Sequence, residues 1–298
     1  MSEKPIAPNT ITLGSERPLT VGEVFDRAIN MVFSRWQAIV PTSAIALSPS
    51  IAFYYYATAV WVRDAATGAH DDPYSSSFHT SRDVAIFVLQ FVAVAVCAVI
   101  VAEARKGRFP SALDALKTLT DVWATAVITG LACGAIRYGV QAAAEGGYES
   151  VVASLSPLLR LLPIVYDVCA TLALGIEMAA AFVVFSTATA VALEVTSIRS
   201  AFILGISAAF SRGRALWTLL ICVAFAILFR AVPATIHFAL ALLRLNGVPI
   251  IATFVWAVQH VLVWSIFSVV VIIYYLDARL RRGVVLPEAF IDEGAGEL

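Results

Sequence analysis

The chain has 298 residues, of which 60% are hydrophobic and 14% charged, with a formal net charge of −1. A soluble domain carries about 25% charged residues, so a water-exposed globule is excluded for most of this sequence, and its long uncharged runs must face lipid. The near-neutral balance, with a pI of about 6.4, argues against a general nucleic-acid role.

Met1 to Thr20 is polar and Pro-containing, with no apolar core region. No cleavable secretory signal is therefore expected, and residues 1–18 read as a flexible N-terminal segment. A membrane domain is expected over 19–283 and a flexible acidic tail over 284–298. Three times the same phrase recurs: an amphipathic stretch, a Trp, then a long apolar run. The stretches are Val21–Trp36, Ser111–Trp123 and Ser197–Trp217, and the three Trp lie about 90 residues apart. A fixed period points to one helical unit repeated.

In the first unit Thr20-Val21-Gly22-Glu23 reads as a capping box that starts a helix. Val21, Val24, Phe25, Ala28, Ile29, Val32 and Phe33 then share one face, with Glu23, Asp26, Arg27 and Asn30 opposite. Ser111 and Asp114 cap the second copy, whose stripe is Ala112, Ala115, Leu116 and Leu119. The third copy, Ser197–Gly213, is less polar. Such helices lie in the membrane plane, apolar face down; the alternative is that they extend the spans. Trp36, Trp123 and Trp217 would mark the boundary of water and lipid.

Six spans are expected, at roughly 37–62, 83–102, 122–143, 164–190, 216–239 and 249–276, each near the 20 residues that cross a hydrocarbon core. The fold class is thus all-α, a polytopic membrane protein of six transmembrane helices in three pseudo-repeats. Pro41 and Pro49 predict a kinked first span, and a short lead-in helix fits around Pro157–Pro163 ahead of the fourth. Gly130-Leu131-Ala132-Cys133-Gly134 in the third span is a GxxxG match that permits close helix packing. Fourteen Lys and Arg fall in the segments on one side and four on the other. The positive-inside rule then puts both termini in the cytoplasm.

All four cysteines sit in apolar runs and read as buried small hydrophobes. The loop holding His70, Asp71, Asp72 and His79 reads as solvated, with a metal site as the weaker alternative because the spacing matches no ligand pattern. Phosphate loops, zinc-ligand motifs and nucleophile elbows are absent from the sequence, so no cofactor and no catalysis are expected. Ionisable residues inside spans are costly and suggest function. Arg137, Glu177, Arg230 and His260 form the expected intramembrane polar cluster, with Asp167, Gln259 and His237 as further polar positions. Glu177 is expected to approach Arg137 or Arg230, either as a structural pair or on a transport path.

Three segments carry a family resemblance. They are Pro18-Leu19-Thr20-Val21-Gly22-Glu23-Val24-Phe25-Asp26-Arg27-Ala28, then Leu193-Glu194 through Arg199-Ser200-Ala201-Phe202 to Gly205 and Trp217, and Tyr274-Tyr275-Leu276-Asp277-Ala278-Arg279-Leu280-Arg281. Together the chain resembles the glycerophosphoryl diester phosphodiesterase membrane-domain family and its six-span bacterial relatives. In some relatives a soluble phosphodiesterase barrel follows the membrane domain. Only a short tail follows Arg282 here, so the resemblance implies the fold and a bacterial inner-membrane location, not phosphodiesterase activity. The expected role is a membrane scaffold or lipid-associated module. A small-solute or ion transporter, or a subunit of one, is the alternative. Membrane lipid is the expected partner, with protein partners or self-association left open.

Overall fold

The computed structural model describes residues 19–68, 77–154, 163–194, 197–210, 213–242 and 248–282. The N-terminal segment 1–18, the loop with His70, Asp71 and Asp72, the stretch 155–162 and the tail 284–298 lie outside the described residues, as do the side chains of His79 and His237. Among the described residues all regular structure is helical: α1 (Val21–Ser34), α2 (Trp36–Thr67), α3 (Ser77–Arg105), α4 (Ala112–Lys117), α5 (Trp123–Ser154), α6 (Pro163–Glu194), α7 (Ile198–Phe210), α8 (Ala215–Leu242) and α9 (Pro249–Leu280). Six of these, α2, α3, α5, α6, α8 and α9, contain stretches long and apolar enough to cross a membrane.

The expected capping boxes are present. The Glu23 amide donates to Thr20 Oγ1 at 3.3 Å while the Thr20 amide donates to the Glu23 carboxylate at 2.7 Å. Ser111 and Asp114 make the same reciprocal pair, both bonds 3.2 Å. Each box satisfies orphan amides at a helix start. The second amphipathic stretch is nonetheless shorter than its pattern suggests. It stops at Lys117, passes through a 3-10 turn at Thr120–Val122 and restarts as α5. Two hydroxyls explain the stop. Thr118 Oγ1 donates to the Ala115 carbonyl at 2.7 Å and Thr120 Oγ1 to the Lys117 carbonyl at 2.8 Å. Side chains that take up backbone acceptors in this way compete with helix continuation.

Within α2 the helix runs through both prolines. Pro49 has no amide for the Ile45 carbonyl, and Ser48 Oγ donates to that oxygen at 2.8 Å. A neighbouring hydroxyl thereby repairs the gap that proline opens in an apolar helix.

The helix at the centre is α9. Every residue from Phe267 to Ala278 is buried, the mark of a helix enclosed on all sides. It packs against α1, α2, α3, α6, α7 and α8. Aromatic rings fill the junctions: Phe267 meets Phe225 of α8 at 4.8 Å, and Phe182 of α6 meets Tyr274 edge-on at 5.4 Å. Around this axis, α5 docks on α3 through the expected GxxxG. A Cβ at Gly130 would lie 3.2 Å from Phe91 Cγ, and one at Gly134 would lie 2.8 Å from Phe87 Cβ. The two phenylalanines, four residues apart, sit over the two glycines, four residues apart. Van der Waals fit of this kind drives helix association in lipid. The short helix α7 crosses α6 as closely, since a Cβ at Gly205 would fall 2.9 Å from the Thr187 amide nitrogen.

The apolar stripe of α1 is divided between two environments. Val24, Ala28, Met31 and Val32 are buried, on a helix that packs on α9, and Phe25 stacks on Phe225 at 5.7 Å. Ile29 and Phe33 are exposed. One half of the stripe meets protein, and the other half is open beside Trp36.

Gly134→Ala should lower the melting temperature of the purified protein, by the equivalent of about 1–3 kcal/mol for an overpacked contact. Gly139→Ala, on the same helix with nothing within 4 Å of its added Cβ, should leave the melting curve in place. Circular dichroism melts in detergent check both.

Candidate functional site

One end of the bundle carries a set of charges that ties helices together. Its centre is Asp277, buried near the end of α9. Asp277 Oδ1 accepts from the Leu19 amide at 3.2 Å. Its other oxygen accepts from Arg281 Nε at 2.8 Å and stands 3.3 Å from Arg214 Nη1. The last contact is an ion pair without hydrogen-bond geometry. Arg214 Nη2 instead donates to the Tyr274 carbonyl at 2.9 Å, and the Tyr274 hydroxyl returns a bond to the Arg214 carbonyl at 3.1 Å. The guanidinium lies 3.8 Å over the Tyr274 ring. That reciprocal pair fixes the start of α8 on the end of α9.

Glu194 closes the neighbouring side. At the last residue of α6 it accepts from the Tyr275 hydroxyl and pairs with Arg279. Arg282 donates to Ser207 Oγ and to the Ser207 carbonyl, both at 2.9 Å, which pins α7. Arg281 Nη2 donates to the Leu19 carbonyl at 3.1 Å. A second knot lies at the end of α3, where the fully buried Glu103 meets Lys106 at 3.4 Å and also Arg108. Beside it the Arg35 guanidinium lies 3.4 Å over the exposed Phe109 ring. The ends of α3, α6 and α9 and the starts of α1 and α8 therefore meet at one face.

Three of the four expected intramembrane residues have described contacts. Arg137 of α5 donates to Gln90 of α3 and lies 5.5 Å over both the Phe87 and the Trp264 rings. Arg230 of α8 pairs with Asp167 of α6 at 2.7 Å. With Asp167 64% exposed, this is a peripheral pair of small energetic weight in water. His260 stacks on Trp256, one turn back on its own helix, at 3.8 Å, and its Nδ1 lies 2.9 Å from the Trp256 carbonyl. Glu177 is half-buried on α6.

Near Arg137 the interior holds a cavity of about 10 Å³, lined in part by Ser43, Gln90, Ser268 and Trp264. That is room for about one water molecule. Gln90 Nε2 is buried there without a hydrogen-bond partner.

The clasp around Asp277 was not among the expected site residues. A signal for it exists. Tyr275, Asp277, Arg279 and Arg281 are polar positions within about two turns at the end of an otherwise apolar helix, and so large a polar content needs partners. Fold and site together define an all-helical protein with six membrane-length apolar helices and a charged clasp at one end. No family model, no curated protein and no solved structure matches the chain.

Removing one partner of a buried ion pair costs about 3–5 kcal/mol. Asp277→Ala should therefore lower the melting temperature strongly, because it strips Arg214, Arg281 and the Leu19 amide of one shared acceptor. Adding Arg214→Ala should recover only part of the loss, since Arg214 also holds the Tyr274 carbonyl. A double-mutant cycle on thermal unfolding in detergent reads the coupling.

Proposed function

We propose that this chain is a bacterial inner-membrane protein that works as a lipid-associated scaffold without catalysis, built from three copies of an in-plane helix followed by a transmembrane hairpin. The basic asymmetry of its segments orients it with both termini in the cytoplasm, so the clasp lies at the cytoplasmic face. The family resemblance to the glycerophosphoryl diester phosphodiesterase membrane domains supports the same location.

The observation that carries this reading is the character of the clasp end. Its best-aligned charges engage one another, while the helices gathered around it turn apolar side chains outward. Ile29 and Phe33 of α1, Leu113 and Leu116 of α4, and Ile203, Ile206 and Phe210 of α7 are all exposed. Trp36, Trp123 and Trp217, each at or near the start of a span, are about half exposed. Indole rings and apolar helix faces at one level suit the headgroup boundary of a bilayer.

A second reading, a transporter of small solutes or ions, is favoured by one specific feature. Arg137, Gln90 and the one-water cavity place polar groups inside the bundle, and such groups mark solute or proton paths in other membrane folds.

Two experiments separate the readings. Reporter fusions at Gly68, Glu149 and Asn246 should read as external and those at Lys106 and Gly213 as cytoplasmic; a cytoplasmic result at Gly68 or Asn246 rejects the orientation. Proteoliposomes loaded with pH- and halide-sensitive dyes should leak no faster than empty vesicles. A flux that Glu177→Gln abolishes while the protein stays folded would replace the scaffold with the transporter.

A further inference from the structure

Inside the bundle, the carboxamide of Gln90 on α3 has its orientation fixed. Arg137 of α5 donates to Gln90 Oε1, and a guanidinium offers no acceptor, so the two ends of the carboxamide cannot be exchanged. Its nitrogen has to find an acceptor elsewhere. That nitrogen is buried, on a residue only 4% exposed, and has no hydrogen-bond partner among the described residues. The cation on the oxygen polarises the amide and strengthens the nitrogen as a donor. A donor left unsatisfied in the interior is costly.

The cavity beside it supplies the place. About 10 Å³ in size, it lies where α2, α3, α6 and α9 meet, and Ser43, Gln90, Phe185 and Ser268 are in its wall. Ser43 and Ser268 are each 5% exposed. Whatever bond a hydroxyl proton makes, its oxygen keeps lone pairs that accept. The wall thus brings together one donor in need of an acceptor and two oxygens able to accept. An occupant that suits them accepts one hydrogen bond, donates two and is no larger than water. An aliphatic group would leave Gln90 Nε2 unpaired. A metal cation would face the amide protons with the Arg137 charge behind them. A halide ion can only accept, and it is wider than water. A water molecule needs roughly 10–15 Å³ and two to four polar partners, and both conditions are met.

We propose that this cavity is a binding site for one water molecule, which accepts from Gln90 Nε2 and donates to the hydroxyl oxygens of Ser43 and Ser268. The site extends the Arg137–Gln90 bond into a link that runs through α5, α3, α2 and α9. A bridging water is nearly as good as a direct hydrogen bond. Among helices whose apolar faces give little preference for one partner, its directed bonds add one. The proposal concerns the interior of the bundle and is independent of the lipid-associated reading, which concerns its surface.

The test uses the full chain in deuterated detergent micelles. Oxygen-17 relaxation dispersion of the solvent counts long-lived internal waters and is blind to exchanging hydroxyl protons. Ser268→Val removes one acceptor and fills the cavity with methyl groups, so it should show one such water fewer than the wild type. Ser154→Val, the same change at an exposed position on α5, should leave the count as it is. With nitrogen-15 glutamine, the Gln90 side-chain amide is assigned by its absence from Gln90→Glu. In the wild type it should cross-relax with water with the sign of a bound molecule, and Ser268→Val should lose that signal. Should Ser268→Val fail to fold, Ser43→Ala removes one acceptor without adding bulk, and the signal should weaken as the residence of the water shortens.

An equal water count in the wild type and Ser268→Val overturns the proposal, as does a Gln90 amide with no water signal. A signal that persists unchanged in both serine variants overturns the site. A signal of the opposite sign marks water in rapid exchange, which overturns the bound molecule and favours a solute path. Gln90 amide shifts that follow chloride concentration, and vanish when gluconate replaces it, keep the site but overturn water as its occupant.

Discussion

A single carboxylate, Asp277, sets the arrangement of the end where most of the helices converge. It is buried, and a buried charge persists only when it is paired and hydrogen-bonded. Arg214 brings the start of α8, Arg281 belongs to the turn after α9, and the Leu19 amide brings the entrance to α1. The neighbouring Glu194 adds the end of α6 through Tyr275 and Arg279. Because lipid tails are as apolar as leucine, burial alone gives helices little reason to choose one partner over another. Directional bonds at the clasp supply that choice, and the packed faces above it, glycine against phenylalanine and ring against ring, follow from the register it imposes.

Locally encoded features were legible in the sequence. Thr20 with Glu23 and Ser111 with Asp114 are separated by three residues, so their capping geometry can be read from spacing alone. The six long helices follow from runs of apolar residues that have no other solvent to face. Gly130 and Gly134 were visible as a motif, but their partners Phe87 and Phe91 were not, since nothing in the local pattern points from α5 to α3. The end of α4 was misread because the apolar stripe continues past Lys117, while the hydroxyls of Thr118 and Thr120 capture the carbonyls that a longer helix needs.

The clasp is the opposite case. Glu194 and Arg279 are 85 residues apart, and Arg214 and Tyr274 are 60 apart. Pairings at such separations depend on which helices become neighbours, a matter of packing and not of period. The intramembrane charges show the same limit. The sequence puts Arg137 and Arg230 inside apolar spans, yet it says nothing of azimuth. Arg230 turns toward Asp167 at the periphery, and Arg137 turns toward Gln90 and two aromatic rings.

The bond between the Leu19 amide and Asp277 spans 258 residues of chain. A ribosome adding roughly 5–20 residues per second makes its acceptor about 10–50 s after its donor. Throughout that interval α1 has no α9 to cover Val24, Ala28, Met31 and Val32. A helix with one greasy face and a capped, polar start can rest on the bilayer surface while it waits. When the last helix arrives, Asp277 ties the entrance of the first one to the finished bundle. The earliest part of the fold to be made is thus among the last to be locked.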